Sequence, residues 1–85
     1  MTPICKIKHK PTGLYYCPVR DIKYNNKYVK SNLCKLGKMY YNINMAQAII
    51  DQIKKFGNEY CKDLTGENIK DANELVVENF GYIKV

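Results

Sequence analysis

The strongest periodic pattern in this chain is an apolar stripe near its middle. Its members recur every three or four residues, as on one side of a helix: Ala46, Ile49, Ile50, Ile53 and Phe56. The spacing predicts a helix over residues 45–56 whose stripe packs on a sheet. Because core packing explains this stripe fully, we do not treat it as a recognition surface.

Side chains at both ends of this stretch support the predicted helix. Asn44 is the predicted N-cap, and Gln47 three residues later could complete a capping box. Lys54 and Lys55 lie in the last turn, where the helix dipole favours cations, and Gly57 is placed to end the helix.

Residues 4–42 favour strands joined by tight turns. Apolar and cationic residues alternate in part at the start of this region, with Cys5 and Ile7 on one side and Lys6 and Lys8 on the other. The predicted strands are Ile4–His9, Leu14–Val19, Asp21–Tyr24, Lys27–Leu33 and Met39–Asn42. The turns between them are predicted at Pro11–Gly13, Asn25-Asn26 and Leu36–Lys38. Pro18 indicates that its strand reaches an edge or a bulge.

The C-terminal third has weaker signals. Asn58–Leu64 fits a strand or a loop, Asn68–Asn73 a short helix, and Leu75–Val77 and Tyr82–Val85 strands broken near Gly81. Eighty-five residues make one domain, 1–85, with one modest core. The predicted fold class is therefore α+β, a small twisted antiparallel sheet with the main helix on one face.

The four cysteines raise the question of disulfides or a metal. No apolar leader precedes Cys5 and no stretch is long enough to span a membrane, so we expect a reducing cytoplasm and free thiols. A zinc site from Cys5, His9, Cys17 and Cys34 stays open on paper, but its spacings lack the short ligand pairs of structural zinc sites. We expect no metal and no cofactor.

Charge is distributed unevenly along the chain. Residues 1–42 hold eight lysines and Arg20 against Asp21 alone, a net charge of +8, whereas residues 43–85 carry −2. Such polarity suggests one surface built for a polyanion. A Lys-rich composition inherited from an AT-rich genome would be the alternative explanation.

Tyrosines are interleaved with these cations, since six of the eight lie within residues 15–41. Cations can meet phosphates while aromatic rings stack on unpaired bases, so the pattern predicts RNA binding. The candidate residues are Lys10, Arg20, Lys23, Lys27, Lys30, Lys35, Lys38, Tyr16, Tyr28 and Tyr40. Strand alternation means that about half of the tyrosines must face inward, and only two or three should reach bases.

Enzymatic chemistry has little support in the sequence. His9 is the only histidine, and in a Lys-rich strand we expect it to be a surface or edge residue. The acids of residues 51–78 form no motif, and no phosphate-binding or metalloprotease pattern is present. We therefore expect no enzyme, although a metal-independent nuclease using Lys, Arg and Tyr stays open.

Two stretches resemble small basic proteins of tailed phages: HKPTGLYY at residues 9–16 and KSNLCKLGKMY at residues 30–40. With the chain's size and charge, they make it similar to the toxin inhibitory factor A family of T-even phages. The resemblance covers roughly residues 4–42 and carries over no site residue. It implies an RNA-binding antitoxin that counters the endoribonuclease of a type III toxin–antitoxin system, in the cytoplasm of an infected bacterium.

Other functions fit the same composition. A DNA-binding phage regulator of transcription is one, and an inhibitor that docks its basic face on an acidic protein without nucleic acid is another. The sequence does not determine the oligomeric state, and a homodimer is possible.

Overall fold

The computed structural model describes residues 2–57 and 61–83 and shows an α+β protein built on one antiparallel sheet. Its elements are β1 (Thr2–His9), β2 (Leu14–Tyr24), β3 (Lys27–Cys34), α1 (Ile43–Phe56), a single 3-10 turn (Ala72–Glu74) and β4 (Leu75–Ile83). The four strands lie in the order β3-β2-β1-β4, and α1 packs against β1 and β4. The predicted fold class is confirmed.

The two faces of β1 differ as the alternation predicted. Cys5 and Ile7 have no exposed surface and belong to the core, whereas Lys6 and Lys8 are half-buried on the other face. We call the side without α1 the open face of the sheet. The segment at Leu36 and Gly37 lies against part of this open face, where the Lys6 ammonium donates to the Leu36 carbonyl.

The sheet is bridged at its centre by the segment between β3 and α1. β1 pairs with β2 at Lys8–Tyr15 and His9–Leu14. Further along, the Lys38 N–H donates to the Tyr16 carbonyl of β2 at 2.8 Å. Tyr40 exchanges backbone hydrogen bonds with Cys5 of β1 at 2.8 and 2.9 Å. The predicted strand over Met39–Asn42 is therefore a bridge at Tyr40 rather than a full strand.

The stripe of α1 forms most of the helix side of the core. Ala46, Ile50 and Ile53 are buried, Ile49 is half-buried, and Phe56 is 58% exposed. The prediction that Phe56 completes the packed stripe is wrong, because this last helical residue lies outside the buried cluster. The Lys55 ammonium lies 5.3 Å from the centroid of its ring. No helix within residues 2–57 and 61–83 is long and apolar enough to cross a membrane.

The helix starts earlier than predicted. Asn42, not Asn44, is the N-cap, since its Oδ1 accepts from the N–H groups of Asn44 at 2.9 Å and Met45 at 3.3 Å. The Gln47 amide donates to Asp51 one turn later and closes no capping box. Gly57 ends the helix as predicted, with its N–H bonded to the Ile53 carbonyl.

The C-terminal part differs most from expectation. The predicted helix over Asn68–Asn73 is a single 3-10 turn over Ala72–Glu74, capped by Asp71. β4 runs through Gly81 instead of breaking there, because Phe80 is bulged out between two register positions and Gly81 adopts a positive φ of 113°. Residues 58–60, 84 and 85 of the other predicted segments lie outside the described residues.

Candidate nucleic-acid interface

The β2–β3 hairpin continues beyond the core as a two-stranded arm. We call its paired part, residues 20–24 with residues 27–31, the ribbon. Asn25 and Asn26 form its turn with φ of 50° and 63°, which confirms the predicted hairpin. The ribbon contributes to the elongated shape of the molecule, which measures 44 × 26 × 18 Å.

A bulge and a buried amide fix the base of the ribbon. Tyr16 pairs with Leu33 and Arg20 with Ser31, so Cys17–Val19 form the bulge that Pro18 indicated. Buried Asn32 faces it: its Nδ2 donates to the Cys17 carbonyl at 3.3 Å, and its Oδ1 accepts from the Lys62 N–H at 2.9 Å. Asn32 thereby joins the bulge to the loop after α1 at the base of the ribbon.

One face of the ribbon carries three of the predicted site residues. Lys23 lies directly opposite Tyr28, and Lys30 follows two residues later on the same face. Tyr28 is 76% exposed. Lys30 pairs with Asp21 at 2.6 Å, but both side chains are more than half exposed, so the pair adds little stability. We call Lys23, Tyr28 and Lys30 the lysine–tyrosine face.

The other face of the ribbon repeats this pairing. Tyr24 lies opposite Lys27, and both are exposed. Arg20 is on the same face, where its guanidinium donates to the Leu33 carbonyl at 3.0 Å. The ribbon thus presents an exposed tyrosine opposite a lysine on each of its two sides.

Burial excludes one predicted tyrosine from the candidate site and limits the exposed surface of another. Tyr40 is 4% exposed and belongs to the core, and burial raises its pKa to about 12. Its ring cannot stack on a base, so the prediction for Tyr40 is corrected. Tyr16 is half-buried against the core, and burial also raises its pKa. Neither ring has the exposure of Tyr28.

The remaining predicted cations lie apart from the lysine–tyrosine face. Lys10 is exposed in the β1–β2 turn, Lys35 follows β3, and the Lys38 ammonium lies 5.6 Å from the Tyr40 ring centroid. The ten predicted residues therefore do not form one cluster.

The open face holds a group that the sequence did not single out. The Lys6 ammonium lies 5.1 Å from the Tyr15 ring centroid and 5.4 Å from that of Phe80. The Tyr15 hydroxyl donates to Glu78 at 2.9 Å, and this bond raises the Tyr15 pKa. Lys8 reaches the same carboxylate at 3.7 Å. The β1–β2 turn could have revealed the Lys8–Tyr15 pair, but Phe80 and Glu78 come from β4, whose pairing has no local signal.

His9 is not the surface or edge residue that was predicted. It is 5% exposed, and its ring nitrogens lie 2.8 Å from Thr12 Oγ1 and 3.2 Å from Glu74 Oε1. Thr12 Oγ1 also accepts from the Leu14 N–H at 3.3 Å. The ring therefore joins the β1–β2 turn to the start of β4, and its hydrogen-bonding capacity is used in the fold.

All four thiols are free in this structure, and those of Cys5, Cys17 and Cys61 are buried. Burial raises the pKa of Cys61 to about 12, and burial with the neighbouring Cys34 thiol raises that of Cys17 to about 11. Within residues 2–57 and 61–83, no three His, Cys, Asp or Glu side chains come together as a metal site. These protonated thiols are poor nucleophiles near neutral pH.

Comparisons of the chain with protein-family models, with curated proteins and with solved structures find no match. The resemblance of residues 4–42 to a phage antitoxin family stays a prediction.

Proposed function

We propose that this protein binds single-stranded RNA through the ribbon. One observation carries the proposal: Tyr28, 76% exposed, lies between Lys23 opposite it and Lys30 on the same face. A ring so exposed contributes little to the core, yet a base could stack on it while Lys23 meets a phosphate and Lys30 exchanges its exposed pairing with Asp21 for another. Tyr24 and Lys27 repeat the arrangement on the other side of the ribbon.

The cations of the ribbon favour recognition of the backbone over recognition of sequence. Lysine is a point charge without the planar fork by which arginine reads guanine, and Arg20 is already bonded to a backbone carbonyl. We therefore propose weak sequence preference and an affinity that is sensitive to salt.

The resemblance of residues 4–42 supports a further part of this proposal. The RNA-bound protein would act as an anti-defence antitoxin of a phage and inhibit a bacterial endoribonuclease toxin in the host cytoplasm. RNA would be part of that complex. A variant that loses RNA binding should then also lose inhibition.

A DNA-binding regulator is the second candidate, because the shape of the ribbon favours it. The major groove of B-DNA admits a two-stranded ribbon, whereas that of A-form RNA is too deep and narrow for side chains to read. The two exposed tyrosines argue for unpaired bases, since a duplex hides the faces on which they would stack.

The test is a fluorescence-anisotropy titration with a single-stranded RNA and with a duplex DNA of equal length. We expect tighter binding of the RNA. Replacing Lys23 and Lys30 with Gln should weaken RNA binding about tenfold or more, since each phosphate contact adds to affinity. The matched control replaces the exposed Lys54 and Lys55 of α1 with Gln, which removes the same charge away from the ribbon.

Circular dichroism is the control that checks whether both double variants fold. Equal losses in the two variants would mean that only total charge matters and would contradict a site on the ribbon. Tighter binding of the duplex would support the DNA-binding candidate instead.

A further inference from the structure

A cleft of about 570 Å³ lies at the base of the ribbon, beside the end of β3. Its walls are mostly apolar and its rim carries two cations; the lining residues are Leu14, Arg20, Cys34, Lys35, Leu36 and Leu64. The volume is within the ~300–1,000 Å³ range of small-ligand sites.

Two of the leucines in this cleft are exposed in a way that core packing does not explain. Leu36 is 79% exposed and Leu64 38% exposed, and they come from segments far apart in sequence. An isolated exposed leucine is ordinary, but two that line the same concave surface leave apolar area for a ligand to cover.

The walls are held in place by hydrogen bonds, so the cleft is formed before any ligand arrives. On one side, the Gly37 N–H donates to Cys34 Sγ at 3.0 Å and the Lys6 ammonium donates to the Leu36 carbonyl. On the other side, the Asp63 carboxylate accepts from the backbone of Thr65 at 2.8 Å and Glu67 at 3.2 Å. A preformed site lowers the entropy cost of binding.

Charge at the rim indicates which ligand suits the cleft. Arg20 and Lys35 carry no ion pair with a carboxylate within residues 2–57 and 61–83. The complementary ligand has apolar surface with negative groups beside it, and the faces of a nucleobase on its sugar–phosphate chain fit this description. Apolar side chains hold unstacked bases in this way in nucleic-acid enzymes.

We propose that this cleft takes one unstacked base of single-stranded RNA, with the neighbouring phosphates on Arg20 and Lys35. The inference rests on the proposed function and adds an anchoring site to it. Arg20 begins the ribbon on the face that also carries Tyr24 and Lys27, so a strand that follows this face reaches the cleft without leaving the protein surface.

The experiment uses a ten-nucleotide oligoadenylate with one central 2-aminopurine, which is quenched by stacking between adenines and whose fluorescence rises when the base leaves its stack and no aromatic ring contacts it. None of the described residues that line the cleft is aromatic, so binding should raise the fluorescence several-fold. Stacking on Tyr24 or Tyr28 would quench it instead. Leu36→Ala should abolish the rise and weaken binding about tenfold, the scale of losing one base contact.

Met45→Ala is the control, because Met45 is also an exposed apolar side chain (56%) but lies at the start of α1. It should leave both signals unchanged, and circular dichroism checks that both variants fold. Binding without a fluorescence rise, or with equal affinity in Leu36→Ala, would overturn the cleft while leaving RNA binding by the ribbon intact. No binding by the unsubstituted protein would overturn the proposed function itself.

Discussion

Burial assigns different roles to tyrosines that look alike in the sequence. Tyr28 is 76% exposed on the ribbon, whereas Tyr40 is 4% exposed and helps hold β1 against the segment that precedes α1. Sequence spacing did not separate them, because both lie among lysines. Tyr40 turns inward where its backbone pairs with Cys5, a contact across 35 residues of chain.

The buried tyrosine makes stability sensitive to alkaline pH. The pKa of Tyr40 is raised from 10.0 to about 12 because burial favours the neutral phenol. The stabilisation that this neutral group gives is complete below pH 10 and is lost as pH rises towards 12. Cys61, raised from 9.0 to about 12, adds to the loss.

We therefore predict a lower free energy of unfolding at pH 11 than at pH 8, measured by urea denaturation. Tyr40→Phe removes the ionising hydroxyl and keeps the ring, so its loss between these two pH values should be smaller. An equal loss in this variant would show that Tyr40 does not contribute.

At the level of elements, α1 offers a direct comparison between a packed and an unpacked side chain. Ile53 is 2% exposed and Phe56 is 58% exposed, although both belong to the apolar stripe. Ile53→Ala should cost about 2–5 kcal/mol of unfolding free energy through lost packing and the cavity left behind. Phe56→Ala should cost well under half as much. Thermal unfolding measures both, and similar losses would contradict the packing of α1 described above.

Elements with local signals were predictable, and elements that depend on distant pairing were not. The hairpin at Asn25-Asn26, the alternation of β1 and the helix all follow from neighbouring residues. The bulge that places Phe80 beside Tyr15 follows from pairing between the two ends of the chain. The burial of His9 likewise needs Glu74, which is 65 residues away.

The same division applies to the candidate site. Lys23, Tyr28 and Lys30 fall on one face because a two-residue turn fixes their register, so their grouping could be read from the sequence. The cleft could not be predicted, since Leu64 and Leu36 line it from segments far apart in the chain, and no local signal shows that these segments pack side by side.

At the scale of the whole molecule, the described carboxylates of the acidic half pair with β1 and not with the ribbon. Carboxylates of the C-terminal half reach Lys8 and His9 of β1, whereas the only ion pair on the ribbon, within the described residues, is local between Asp21 and Lys30. The ribbon therefore remains a cationic arm attached to a more balanced body.

The dependence of RNA affinity on salt tests this account most directly. Each phosphate contact releases counterions and lowers the logarithm of affinity by about 0.7 per unit of log salt on single strands. If four to six cations of the ribbon and its base make contacts, the slope is roughly 3–4. The double variant with Lys23→Gln and Lys30→Gln should have a slope smaller by about 1.4, which corresponds to the loss of two phosphate contacts. The control variant with Lys54→Gln and Lys55→Gln should have the same slope as the unsubstituted protein. A slope that is near zero, or equal in all three proteins, would contradict RNA binding by the ribbon.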